Sequence, residues 1–257
     1  MQRPNHFRAD GFRPRRFRRG LVVLAAAVLG STALAGCSSD GPGQIRVMAA
    51  ASLVDVMEPL SDAYGDEHDG ARVQVDAAAS SALVQRLRSG ADADVLITAD
   101  TATMDRAVAD GLAADPVVVA TNELVIVVPA GNPGEVTGLE TFTRAGTRTV
   151  ICAAEVPCGR AAEKALSAIG GTPQPLTRAV DVRAALGAVT SGEANAALVY
   201  ETDARSAGDT VDVVEFPNAP VNRYPAAAVT DEGQAFVDLL VSPRGREILA
   251  DAGFGLP

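Results

Sequence analysis

Two serines stand where a strand-like run gives way to a helical pattern. Ser52 follows the strand-like run 45–49, and Ser80 follows the alternating run 72–77. The first turn of a helix carries backbone N–H groups without partners, and a serine hydroxyl beside them adds one more donor. Two such junctions that face one point would bind an anion without any cation. The alternative is that each serine only caps its own helix.

The residue types that most catalytic mechanisms need are scarce in this chain. It has two histidines, His6 and His68, and the second lies in a charged, turn-like segment. The sequence contains no Gly-x-Ser-x-Gly elbow, no P-loop and no Gly-x-Gly-x-x-Gly. Its histidines, cysteines and acids have no spacing typical of a zinc site. We therefore expect a protein that is not an enzyme, that has no cofactor and that ligates no metal directly.

The first 37 residues have the pattern of an export signal. Residues 1–20 carry seven arginines and one acid, and the apolar run 21–29 follows. An arginine-rich start, a short apolar core and small residues before a cleavage site are typical of a secretory signal peptide. The ending Leu-Ala-Gly-Cys37 resembles the bacterial lipobox, which implies that Cys37 is lipidated and becomes the mature N-terminus.

Lipidation at Cys37 predicts an extracytoplasmic protein that is anchored by lipid to the outer face of the cell membrane. The polar segment 38–44 then serves as a linker. The alternative is an ordinary signal peptide with an incidental cysteine. The paired arginines within 13–19 leave open whether export uses the general or the twin-arginine route.

Removal of residues 1–37 makes the chain strongly acidic. The whole chain has 22 basic and 32 acidic residues, and subtracting seven arginines and one aspartate leaves 15 and 31, a net charge near −16. Such a charge disfavours nucleic acid and anionic membrane surfaces as partners. An anionic ligand would therefore have to bind through local dipoles rather than through a basic patch.

Two cysteines, Cys152 and Cys158, remain after Cys37. A cysteine pair in an exported protein is typical of a disulfide, so we predict that these two are bonded. The alternative is two free thiols in a strand-to-helix loop.

From residue 45 onward, strand and helix patterns alternate along the chain. This rhythm predicts α/β architecture with parallel sheets covered by helices. The number of units predicts two lobes, residues 45–121 plus 222–257 and residues 122–221, with chain crossings near 120–123 and 217–224. Because ligands of open α/β sheets lie beyond the carboxyl ends of the strands, we expect the binding site in the cleft between the lobes.

Six segments, in order along the chain, resemble those of the substrate-binding proteins of molybdate ABC transporters. They are 49–53 (AAASL), 80–83 (SSAL), 90–100 (GADADVLITAD), 156–160 (VPCGR), 181–186 (DVRAAL) and 198–200 (LVY). The resemblance implies a class II periplasmic-binding-protein fold, in which each of two lobes is a mostly parallel sheet flanked by helices. It also implies a monomer that captures molybdate, and tungstate as well, for an ABC permease and its ATPase.

The resemblance also assigns the residues that hold the oxyanion. The positions that match the family's donors are Ser52, Ser80, Cys158, Val182 and Tyr200. The two serines and Tyr200 would donate through hydroxyls, whereas the other two would donate through backbone N–H groups. Cys158 departs from the alanine that is usual there. Two alternatives stay open. Ser81 could donate in place of Ser80, and Tyr200 could be an ordinary aromatic residue of the core.

Three other functions compete with molybdate capture. A sulfate- or thiosulfate-binding protein would share the fold, and Asp55 and Asp181 lie close enough in sequence to the predicted donors to supply an acceptor. An exported enzyme on the same fold is a second rival. The third is a receptor that presents bound anion to a signalling partner.

Overall fold

The computed structural model describes residues 43–257. The predicted signal peptide, the lipidation site Cys37 and residues 38–42 of the predicted linker lie outside the described residues. Within 43–257, no helix combines the length and the apolar character that are needed to cross a bilayer.

The described residues form nine strands and eight α-helices that largely alternate. The strands are β1 (Gln44–Ala50), β2 (Arg72–Ala78), β3 (Val95–Ile97), β4 (Val117–Pro129), β5 (Thr149–Cys152), β6 (Thr177–Ala179), β7 (Ala196–Tyr200), β8 (Val211–Val214) and β9 (Val221–Ala228). The helices are α1 (Met57–Glu67), α2 (Ser80–Arg88), α3 (Thr101–Ala109), α4 (Pro157–Ala168), α5 (Val182–Thr190), α6 (Glu201–Ala207), α7 (Gln234–Val241) and α8 (Pro243–Asp251). Short 3₁₀ segments span Ala51–Val56, Leu139–Thr143, Gly208–Thr210 and Asp231–Gly233.

The strands build two sheets that share β4. The first sheet has the order β2-β1-β3-β9-β4; β1 is parallel to β2 and β3, and β9 is antiparallel to both β3 and β4. In the second sheet β5 is parallel to β6 and β7, and β4 is antiparallel to both β7 and β8. Each sheet therefore has one strand that runs against the other four, which confirms the predicted two-lobed α/β fold with mostly parallel sheets.

Strand β4 passes from the first sheet into the second. Its residues up to Glu123 pair with β9, and from Leu124 onward they pair with β7 and β8. The change of partner falls beside the segment 120–123, where the sequence predicts a chain crossing. Just before the change, Asn122 lies opposite Asn222 of β9 in the ladder. Asn122 is one of the few polar residues in β4, which is otherwise mostly apolar.

Helices cover both faces of the first sheet, because neighbours along its strands are buried in different cores. Val47 and Met48 are adjacent in β1, yet the first packs with Leu60 and Phe236, whereas the second packs with Leu83. A third core, with Phe142 and Leu166 among its members, surrounds the second sheet. The many alanines let helices and sheets approach closely.

Glycine is required at the start of α4 because the helix lies directly against the preceding loop. A Cβ on Gly159 would lie 1.8 Å from the carbonyl oxygen of Ala153. The absence of a Cβ at Gly159 therefore lets the first turn of α4 pack against the backbone of Ala153.

Candidate functional site

All five residues that the sequence predicts for the oxyanion site line one pocket. The pocket has about 220 Å³ of free space, its mouth included. Its lining comprises Ala50, Ala51, Ser52, Ala79, Ser80, Ala99, Val156, Pro157, Cys158, Asp181, Val182 and Tyr200. The residues come from the carboxyl ends of β1, β2, β3 and β7, from the 3₁₀ segment after β1 and from the starts of α2, α4 and α5. The pocket therefore lies beyond the strand ends, where ligands of open α/β sheets bind.

Three of the helical segments that begin at the pocket lack a capping side chain. The residues in the N-cap position are Ala50 before the 3₁₀ segment, Ala79 before α2 and Val156 before α4, and none of these side chains caps the helix by a hydrogen bond. Helices prefer Ser, Thr, Asp or Asn there, and replacing such a cap by alanine costs about 1 kcal/mol. The first-turn N–H groups of these segments are thus left without a side-chain acceptor beside the pocket.

Helix α5 differs because its N-cap is filled. The Ala184 N–H donates to Oδ1 of Asp181 over 2.8 Å, so this carboxylate is engaged with its own helix. The N–H of Val182, the first residue of α5, has no acceptor within the helix. Asp181 lines the pocket but acts as a cap, whereas Val182 lines the pocket with its N–H free of the helix.

Neither serine caps its helix, so the simple capping alternative is wrong. Ser52 is the second residue of the 3₁₀ segment, and its Oγ lies 2.8 Å from the hydroxyl of Tyr224. Ser80 is the first residue of α2, and its Oγ accepts the Ala99 N–H over 3.0 Å. The two serines are only 5% and 1% exposed, and both line the pocket.

Tyr200 ends β7 and is 1% exposed. Its hydroxyl accepts a hydrogen bond of 2.9 Å from Nδ2 of Asn222, which also donates to the carbonyl oxygen of Ala99 over 2.7 Å. Burial raises the pKa of Tyr200 well above its ordinary value, so the phenol keeps its proton. The side chain lies in the core, as the alternative interpretation expects, and also reaches the pocket.

Cys158 is the second residue of α4 and forms a disulfide with Cys152, the last residue of β5. The Cα atoms of the pair are 5.7 Å apart. The disulfide ties the first turn of α4 to the strand that precedes it. Its position therefore constrains the turn that brings the N–H of Cys158 to the pocket.

The described lining of the pocket contains no lysine or arginine, but two arginines lie nearby in ion pairs. Arg160 of α4 donates from Nε to Oδ2 of Asp100 over 2.7 Å and from Nη2 to Oγ1 of Thr103 over 2.6 Å. Arg183 of α5 donates to both carboxylate oxygens of Asp55, over 2.7 and 3.2 Å. Each arginine lies beside the second sheet, and each carboxylate belongs to the part of the chain that builds the first.

Arg183 also contacts a buried carboxyl group. Oδ1 of Asp203 lies 3.5 Å from Arg183, and Oδ2 accepts the Tyr200 N–H over 3.2 Å. Burial raises the pKa of Asp203 from 3.8 to about 7, although the guanidinium opposes the shift. The carboxyl group of Asp203 therefore contacts the backbone of Tyr200, which lines the pocket.

Sequence reasoning missed these supporting residues. Asn222 and Tyr224 carry no local motif, and Arg160 and Arg183, although they lie in two of the resembling segments, were given no role. The partners that matter here lie far away along the chain. For Asn222 one signal was present: it is a polar residue inside the predicted crossing 217–224.

The pocket has the chemistry of a neutral hydrogen-bond donor shell. Among residues 43–257, no group of three His, Cys, Asp or Glu side chains is placed to hold a metal ion. Hydroxyl and backbone N–H groups are instead the donors that bind an anion at helix starts. The arrangement can therefore bind an oxyanion through its oxygens.

Comparisons with known proteins agree with this chemistry. The profile of the family described as bacterial extracellular solute-binding protein matches residues 45–255. The Molybdate-binding protein ModA of Mycobacterium tuberculosis strain H37Rv is 36% identical over 249 residues, which cover 92% of this chain and 95% of that protein.

Two solved structures show the same fold. The periplasmic molybdate-binding protein of Azotobacter vinelandii superposes with a TM-score of 0.68 at 19% identity, covering 83% of this chain and 99% of that one. The sulfate-binding protein SubI of Mycobacterium tuberculosis H37Rv gives a TM-score of 0.72 at 18% identity, with 82% and 86% covered.

Proposed function

The chain belongs to the family of bacterial extracellular solute-binding proteins, and from that premise we propose that it captures molybdate, and tungstate as well, for an ABC importer. One observation carries the proposal: helix starts without capping side chains and three buried hydroxyls line one pocket that has no basic side chain. The relative that is 36% identical over nearly the whole chain is a molybdate-binding protein, which supports this choice of anion.

A dianion bound in this pocket would need about six to eight hydrogen-bond donors. Burying an unpaired ion costs tens of kcal/mol, so the oxygens must be hydrogen-bonded throughout. Each charge-assisted hydrogen bond contributes about 1.5–3 kcal/mol, and six to eight of them therefore offset roughly 10–20 kcal/mol. We propose that the hydroxyls of Ser52, Ser80 and Tyr200 and the N–H groups of Cys158 and Val182 are the core of this set.

Sulfate is the second candidate ligand. The likeness in fold to a sulfate-binding protein favours it, and sulfate is a tetrahedral dianion like molybdate. Both anions suit hydroxyl and N–H donors, whereas hydrogen phosphate also needs an acceptor for its O–H. The one carboxylate in the lining, Asp181, accepts the Ala184 N–H through Oδ1. The sequence relationship to a molybdate-binding protein is the reason for our preference.

We propose that binding closes two lobes, residues 45–121 plus 222–257 and residues 122–221, over the anion. The change of β4 from one sheet to the other at Glu123 supports this division. The protein would act as a monomer outside the cytoplasm, held to the membrane only by lipid on Cys37. It would deliver the anion to a permease driven by an ATPase.

A thermal-shift panel tests the choice of anion. Purified protein is heated with molybdate, tungstate, sulfate or phosphate, all at one concentration that is about 100 times the dissociation constant for molybdate, which stabilises the molybdate complex by about 2.7 kcal/mol. For a chain of this size we expect Tm to rise by about 5–10 °C with molybdate and tungstate. If sulfate or phosphate raises Tm and molybdate does not, the proposal is contradicted.

A pair of variants tests the site itself. Ser52→Ala/Ser80→Ala removes two donors and should abolish the shift produced by molybdate. Ser61→Ala is the matched control, because Ser61 donates to the Met57 carbonyl within α1 and does not line the pocket. Normal molybdate binding by the double variant would overturn the assignment of both serines.

A further inference from the structure

The side chain of Asn222 bridges Ala99 and Tyr200 at the pocket. Its Nδ2 lies 2.7 Å from the Ala99 carbonyl oxygen and 2.9 Å from the Tyr200 hydroxyl. A backbone carbonyl oxygen can only accept, so the amide atom that faces it must be the nitrogen. The orientation of the Asn222 amide is therefore fixed by its surroundings.

This orientation determines which role the Tyr200 hydroxyl plays. The amide nitrogen of Asn222 has two hydrogens and accepts none, so the phenol oxygen must accept on that side. The hydrogen of the phenol then has to point elsewhere. Tyr200 lines the pocket, so that hydrogen is available to a bound anion.

The same residue, Ala99, determines the role of Ser80. The Ala99 N–H donates to the Ser80 Oγ over 3.0 Å, so this hydroxyl also accepts from the protein and keeps its own hydrogen free. Ser80, Ala99, Asn222 and Tyr200 thus form one continuous hydrogen-bonded chain, which we call the Asn222 bridge. It connects a hydroxyl at the start of α2 with a hydroxyl at the end of β7.

We propose that Asn222 is a specificity-determining residue, which acts by holding the Tyr200 hydroxyl as a donor toward the anion. The inference rests on the proposed function, because it needs an oxyanion in the pocket. A phenol that rotates freely can accept from a protonated anion as well as donate to a bare one. A phenol that is held as a donor leaves the O–H of a protonated oxyanion unpaired, which disfavours that ligand.

If Asn222 holds the Tyr200 hydroxyl as a donor, Asn222→Ala should have two effects. Molybdate affinity should fall about 2- to 10-fold, because a neutral hydrogen bond that orients the donor is lost. The preference for molybdate over inorganic phosphate should fall by about 10-fold, because the phenol can now accept from hydrogen phosphate. Asn195→Ala is the matched control: this half-buried asparagine contacts Arg148 and does not line the pocket, so neither quantity should change.

A double-mutant cycle separates action through Tyr200 from a general structural effect. Affinities for molybdate and phosphate are measured by calorimetry for the natural protein, Asn222→Ala, Tyr200→Phe and the double variant. If Asn222 acts through the phenol, Asn222→Ala changes neither affinity once Tyr200 is replaced by phenylalanine. If Asn222→Ala lowers the affinities equally in the natural protein and in the Tyr200→Phe variant, the proposal is overturned.

The cycle also distinguishes failure of this inference from failure of the proposed function. If the natural protein binds sulfate but not molybdate, the choice of anion is wrong and the same cycle is run with sulfate. If it binds none of molybdate, tungstate and sulfate, both proposals fall. If Asn222→Ala does not fold, Asn222→Asp is used, because it keeps the shape of the side chain and replaces the donor by an acceptor. The loss of molybdate affinity caused by Asn222→Asp should be smaller in the Tyr200→Phe background than in the natural protein. An equal loss in the two backgrounds would contradict the proposal.

Discussion

The ion pair between Arg160 and Asp100 gives a test of how the two parts of the chain hold the pocket closed. Arg160 follows the pocket residues of α4, and Asp100 is the N-cap of α3 beside the first sheet. Because the contact joins residues 45–121 to residues 122–221, separation of the proposed lobes would break it. Arg160→Met removes the charge and keeps most of the aliphatic stem, so it should destabilise the closed form selectively.

The size of the effect follows from the contacts that are lost. Arg160 donates to Asp100 and to Thr103, and the two charged side chains are 24% and 14% exposed. Hydrogen bonds to charged groups contribute about 1.5–3 kcal/mol when they are buried, and partial exposure and salt reduce this to about 1–2 kcal/mol. Molybdate affinity should therefore fall about 5- to 30-fold, and most of the change should appear in the rate of release.

Release of radioactive molybdate into excess unlabelled anion measures this rate directly. Arg178→Met is the matched control, because Arg178 pairs with Glu163 over 2.6 Å and both residues lie within 122–221. Release from Arg160→Met should be several-fold faster than from the control variant. Equal release rates for the two variants would refute the view that this ion pair holds the closed form.

Two further predictions concern stability. Cys152→Ser/Cys158→Ala opens a loop closed by cysteines six positions apart, so the free energy of unfolding should fall by about 2 kcal/mol; unchanged stability and molybdate affinity would show that the disulfide has no role in either. For Asp203, burial raises the pKa from 3.8 to about 7, so the folded protein retains a proton that the unfolded chain releases between these pH values. Stability from this group is therefore present below pH 4 and falls by up to about 4 kcal/mol as the pH rises to 7. Thermal unfolding against pH should show a shallower decline for Asp203→Asn, and parallel curves would contradict the pKa shift.

The sequence predicted the pocket better than it predicted what surrounds the pocket. Ser52 and Ser80 were found from the local change between strand and helix patterns. Val182 came only through resemblance to a family, because a backbone donor has no side-chain signature. The orientation of Tyr200 depends on Asn222, which is 22 residues away, and Ser52 contacts Tyr224 across 172 residues. Such contacts are created by the sheet topology, and no local pattern encodes them.

The two serines also show why the capping alternative fails here. A serine beside a helix start is usually its cap, and this expectation rests on sound statistics. Here Ala50 and Ala79 occupy the N-cap positions, so each serine lies one or two residues inside the segment and its hydroxyl is hydrogen-bonded to a more distant partner. The sequence places an alanine just before the helical segment at both sites, but boundaries cannot be read to a single residue.

The placement of charge around the pocket suits the proposed capture and release of a dianion. Arg160 and Arg183 lie nearby, yet each is paired with a carboxylate from the other part of the chain, so the proposed closure would bring no unpaired charge to the anion. On this proposal hydroxyl and N–H dipoles meet the charge of the anion. If the lobes open as proposed, water replaces each of these hydrogen bonds, whereas a buried cation would keep a strong attraction to the leaving anion. A neutral shell closed by ion pairs at some distance from the ligand would therefore combine selectivity in the closed form with ready release from the open one.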